Sequence, residues 1–147
     1  MIEEKYTLEF DDSVRIFEFE STGPKGTVKK IVQYSEANVK NYYYLGFGDK
    51  DNNEATINDL VVTNNGDSQK VLATVASTIY TFTEHHPDAH IVATGSTLAR
   101  TRLYRIGISN NLQAIENDFY VFGLKDGIWE KFTKGIVYEA FLVKKKD

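Results

Sequence analysis

Hydrophobic and polar residues alternate at the start of this chain and then change period near its middle. From Val14 to Glu20 the alternation has a period of two, with Arg15, Phe17 and Phe19 opposite Val14, Ile16 and Glu18, which predicts a strand with one face more buried than the other. Gly23-Pro24-Lys25-Gly26 then turns the chain, because proline fixes φ and glycine permits positive φ. Thr27 to Tyr34 returns as the second strand of this hairpin. Tyr42 to Phe47 makes a third, rich in the aromatic residues that suit a pleated surface, and Ile57 to Val62 a fourth, after the polar turn Asp49 to Asn53.

Beyond residue 70 the spacing becomes helical. Val71, Leu72, Val75, Ile79 and Phe82 lie on one stripe, Asn65-Gly66-Asp67-Ser68 offers N-cap residues, and Pro87 marks the far limit. Ile91-Val92-Ala93 is a short strand. Ser96 and Thr97 precede a second helix carrying Leu98, Arg102, Leu103 and Ile106, which Gly107 is expected to interrupt. The tail returns to strands: Phe119 to Leu124 meets Ile128 to Phe132 across Lys125-Asp126-Gly127, a strong hairpin signal, and Val137 to Val143 alternates again. The order β-β-β-β-α-β-α-β-β-β predicts an α+β fold: one largely antiparallel mixed β-sheet of about six to nine strands, with two main helices packed on it. Residues 1–147 read as a single domain, without repeat or linker.

Composition narrows the chemistry. The chain has no cysteine, so disulfides, thiolate metal sites and cysteine nucleophiles are excluded, and a reducing cytoplasm is the expected compartment. No stretch approaches the ~18 apolar residues of a membrane span. A net charge of −4 argues against general attraction to nucleic acid. His85, His86 and His90 cluster, but Pro87 breaks the helix between the last two, so no metal site is expected. Asp49 to Asn53 fails as a calcium loop, since Glu54 stands where the turn glycine belongs.

Two loops feed predicted helix starts: Asn64, Asn65, Gly66, Ser68, Gln69 and Lys70 before the first, and Ser96, Thr97, Arg100 and Arg102 at the second. Free helix-terminal amides beside Lys70, Arg100 and Arg102 suit a small anionic ligand, a phosphate or carboxylate. The plainer reading makes Asp67, Ser96 and Thr97 ordinary caps and the arginines a solvated face. A third set, Arg100, Arg102 and Arg105 with Lys25, Lys29 and Lys30, suggests a basic patch. Tyr42, Tyr43 and Tyr44 alternate across their strand, so one side either completes a core or exposes rings to a partner.

Several stretches resemble a family of short bacterial proteins of unknown function. They are Asn58 to Val75, Gly95 to Tyr104, Gly23-Pro24-Lys25-Gly26 and Tyr138 to Val143. More remotely, the order of elements from Ile57 onward resembles the acetyl-CoA-binding half of the Gcn5-related N-acetyltransferase fold. That resemblance implies a pyrophosphate cradle at Asn64 to Lys70, with one glycine and the adverse charge of Asp67, and Tyr104 as proton donor within Leu103-Tyr104. Three functions follow as expectations. The favoured one is a non-catalytic interaction or regulatory module that binds a small anion or a protein partner, including a second copy of itself. The second is an acetyl-CoA-dependent N-acyltransferase, and acetyl-CoA is the cofactor only under that reading. The third is a nucleic-acid-associated accessory protein.

Overall fold

A computed structural model describes residues 5–50, 57–58, 65–95 and 97–147, with Ile57 and Asn58 described by backbone alone. Its strands are β1 (Glu9–Phe10), β2 (Ile16–Gly23), β3 (Gly26–Glu36), β4 (Tyr42–Lys50), β5 (Ile57–Asn58), β6 (His90–Ala93), β7 (Phe119–Lys125), β8 (Ile128–Lys131) and β9 (Ala140–Lys145). Helices α1 (Ser68–His85), α2 (Leu98–Asn110) and α3 (Leu112–Asp118) complete it. The strands form one mixed sheet in the order β1-β2-β3-β4-β6-β9-β7-β8, with β5 paired to β4. Among the described residues only β4 and β6 pair in parallel, through Tyr42 to Leu45 against His90 to Ala93; the other described pairings are antiparallel. The α+β architecture expected from the sequence is present. The remainder of the fourth predicted strand, up to Val62, lies outside the described residues.

The three described helices pack on one face of the sheet, where Ile79, Tyr104 and Ile115 join a single core cluster with its strands. The stripe Val71, Leu72, Val75, Ile79 and Phe82 is buried against Phe17, Phe19, Val32, Tyr34, Leu45, Phe47, Ile91, Val121 and Val143. Tyr34 stacks on Phe82 with ring centroids 4.1 Å apart, and its hydroxyl is 2.7 Å from the Thr78 hydroxyl. Burial there holds the Tyr34 phenol far above its ordinary pKa, the Thr78 hydrogen bond only partly opposing it. Tyr43 meets Phe82 edge to face at 5.0 Å, so the middle tyrosine of the triplet belongs to this core. Among the described residues no helix is long and apolar enough to cross a membrane.

Four boundaries depart from the sequence reading, each for a physical reason. Gly107 does not interrupt α2: it is buried against Leu72 of α1, and this packing outweighs the low helix propensity of glycine, so the helix continues. The two-turn α3 buries only Ile115, too few positions to show a period. Val14 has a φ of 55° and closes a turn in which its amide donates to the Asp11 carbonyl, so β2 begins at Ile16. β9 begins at Ala140 and not at Val137, because the Tyr138 ring crosses the sheet over Gly123, where a Cβ would fall 2.4 Å from it.

Candidate functional site

The loop before α1 is fastened to the β2–β3 hairpin. Asn65 is buried, accepts a 2.8 Å hydrogen bond from the Lys25 amide at Oδ1 and donates from Nδ2 to the Gly26 carbonyl at 2.9 Å. Gly66 has a φ of 77°, a left-handed conformation that glycine adopts without strain. Asp67 does not cap α1 with its side chain. Its Oδ2 instead accepts from the Tyr6 hydroxyl at 2.5 Å and the Ser21 hydroxyl at 2.6 Å. Burial alone would raise the Asp67 pKa, but the Ser21 and Tyr6 hydroxyls, with a backbone hydrogen bond and the Lys30 charge, together hold the carboxyl below its usual range. Ser68, Gln69 and Lys70 follow on the exposed first turn, with Lys70 Nζ 4.2 Å from the centroid of the Tyr6 ring.

The start of α2 is likewise internal. Thr97 Oγ1 accepts from the Arg100 amide at 3.2 Å, and Thr101 Oγ1 accepts from the Gly95 amide at 3.0 Å. The Arg100 guanidinium is buried and donates to the Phe47 carbonyl. Phe47 lies beyond the point where β4 parts from β6, after Leu45 and Ala93, so Arg100 satisfies a carbonyl that β6 does not reach. Arg102 is exposed on α2. Tyr104 is buried and lines an apolar cavity of about 40 Å³ with Leu45, Leu72, Ile91 and Ile108. Asn64 and Ser96 lie outside the described residues. The structure thus draws Asn65 toward the hairpin and Arg100 toward β4, and leaves Ser68, Gln69, Lys70 and Arg102 on the surface.

The basic patch expected on the first hairpin is divided. Lys30 is buried on the helix face, where its Nζ lies 2.5 Å from Asp49 Oδ1, its register partner on β4. Lys29 points to the other face, where a cavity of about 500 Å³ is lined by Glu9, Glu18, Glu20, Lys29 and Lys50. Lys50 pairs with Glu18 at 2.5 Å across β3, so acids and lysines neutralise one another there. The Lys30–Asp49 pair escaped sequence reading because a lysine in an alternating strand reads as solvent-facing. Only the register Phe19–Lys30–Asp49, which sets Lys30 beside an acid nineteen positions away, turns it inward.

The face of the sheet opposite the helices carries a different surface. Register places Tyr42, His90, Lys144 and Tyr120 in one row across β4, β6, β9 and β7. The next row holds Tyr44, Val92, Leu142, Phe122 and Lys131, and Leu124 faces Trp129 beyond it. Tyr44 is 50% exposed, Tyr120 51% and Trp129 42%, while Val92, Leu142, Phe122 and Leu124 are half-buried. Their helix-side neighbours Ile91, Val121 and Val143 are all buried. Tyr42 and His90 stack with centroids 4.4 Å apart, and burial, then the Lys144 charge, lowers the His90 pKa, with Asp88 partly opposing them. His86 packs on Phe82 on the opposite face, so the two histidines do not converge. The alternation of Tyr42 and Tyr44 was the sequence signal for this surface.

Fold and surface together define an α+β protein with closed loop–helix junctions and an aromatic sheet face uncovered by its helices. The chain belongs to a family of unknown function (DUF6934), whose model matches residues 2–146. No curated protein and no solved structure matches it.

Proposed function

We propose that this protein is a non-catalytic binding module that meets its partner with the open face of the sheet. The observation that carries this reading is the exposure of Tyr44, Tyr120 and Trp129 among half-buried aliphatic side chains on a face that the helices do not cover. Contiguous apolar surface of this kind is costly to leave in water and marks interaction sites. The absence of cysteine supports a cytoplasmic setting. A photo-crosslinking residue at Tyr44 is expected to give adducts in cells, and one at the exposed Gln69 is expected to give none.

Acetyl-CoA-dependent acyl transfer is the second reading, supported by the order of elements and by Tyr104 on the later helix. Three features weigh against it. Asp67 sets a carboxylate in the would-be phosphate loop, Arg100 occupies the β4 edge at Phe47, and Tyr104 faces a cavity of only about 40 Å³. A thermal-shift titration separates the two. At ~100 times its dissociation constant a ligand adds about 2.7 kcal/mol and moves the midpoint by several degrees. The binding-module reading predicts no shift with acetyl-CoA or CoA; a shift lost in Lys70→Ala supports acyl transfer instead.

A further inference from the structure

Charge is segregated along the open face. On its β6, β9, β7 and β8 half the described strands contribute Lys144 and Lys131 and no carboxylate, while Asp88, in the loop before β6, acts on His90 at one end of the row and Lys146 Nζ donates to the Glu116 carbonyl at 2.6 Å. The acids of this face, Glu9, Glu18 and Glu20, sit on β1 and β2 at the other end, beside Lys29 and Lys50. The net charge of −4 therefore does not describe this half, and the field a ligand meets is set by the charges nearest to it. Lysines and rings are interleaved in the two rows. Strands lie ~4.8 Å apart, so Tyr42 and Tyr120, three strands apart, are separated by roughly 14 Å, a span of a few nucleotides.

The geometry points to single-stranded nucleic acid as the partner of this half, with bases stacked on Tyr44, Tyr120 and Trp129 and phosphates held by Lys131 and Lys144. This rests on the open face being the working surface. Stacking needs a flat ring with room above it, and lysine holds phosphate as a point charge without reading sequence, so the recognition is tolerant of base identity. A second copy laid on the same half brings lysines against lysines, and the described strands β6, β9, β7 and β8 contribute no carboxylate on this face to meet them. An acidic peptide would satisfy the lysines but has no use for three exposed rings. The exposed arginine Arg102 stands on the helix side and plays no part.

The test is fluorescence anisotropy with labelled single strands of about 12 nucleotides, RNA and DNA, beside a duplex of the same sequence. Single strands are expected to bind and the duplex to bind more weakly, because its bases are not free to stack. Tyr44→Ala and Tyr120→Ala are each expected to weaken binding about tenfold. Raising salt from ~50 to ~200 mM weakens it about sevenfold if two phosphates are neutralised. Unchanged thermal midpoints show that these surface variants remain folded. No anisotropy change up to roughly 100 µM protein, or binding indifferent to both tyrosine variants, overturns the assignment. Nuclease treatment of the Tyr44 adducts separates the two levels of inference. Adducts that nuclease removes support nucleic acid. Adducts that survive nuclease leave the working face in place and remove nucleic acid as its partner, and the absence of adducts removes both.

Discussion

Asp49→Ala is expected to destabilise the fold by about 3–5 kcal/mol, read as a fall in the urea midpoint with the slope unchanged. The carboxylate it removes lies 2.5 Å from the Lys30 ammonium, whose side chain is 1% exposed. A buried ion pair contributes little net stability, because desolvating both charges offsets most of their attraction. Removing one partner is different: the other charge stays inside without the carboxylate that compensated it. Lys30→Met with Asp49→Leu removes both charges and keeps similar volume, so the double variant is expected to recover most of the loss. A double variant as unstable as Asp49→Ala would show that the position needs charge for another reason, such as holding a polar ligand.

Gly23→Ala should be nearly as damaging, at about 3 kcal/mol or roughly 10 °C in thermal midpoint. A Cβ on Gly23 would fall 2.0 Å from the backbone carbonyl oxygen of Asn65. A backbone atom has no rotamer by which to move aside, so the hairpin and the loop before α1 must separate. That separation breaks the bonds between Lys25 and Asn65 and between Asn65 and Gly26, and exposing or orphaning buried polar groups adds to the steric cost. Gly26→Ala is the contrast. It meets no atom within 4 Å, but its φ of 87° disfavours any side chain, so it is expected to cost about 1 kcal/mol. Equal losses at the two glycines would mean that the hairpin and loop are not locked together as described.

Legibility in the sequence followed the range of the interactions. The α1 stripe and the turn Asp126-Gly127 could be read directly, because each is set by residues a few positions apart. Asp126 and Gly127 have φ of 51° and 78°, the left-handed pair that a tight hairpin requires. The roles of Asn65, Asp67 and Arg100 could not, since their partners Lys25, Tyr6 and Phe47 lie 40, 61 and 53 positions away. Polar residues at a helix start look the same whether they face a ligand or a neighbouring strand. The open face was half legible. Tyr42 and Tyr44 announced two sides to β4, but Val92, Leu142 and Phe122 join Tyr44 only because β9 inserts between β6 and β7, a topological fact with no local signature.

The working role of the open face meets its most direct test in paired photo-crosslinking from Tyr44 and Trp129 on that face and from Gln69 and Arg102 at the starts of the helices. Adducts from the first pair and none from the second are expected, since the first are exposed on the face that the described helices leave open and the second flank junctions already bound to their own framework. Adducts from Gln69 and Arg102 with none from Tyr44 or Trp129 would contradict this and return the function to the loops before α1 and α2.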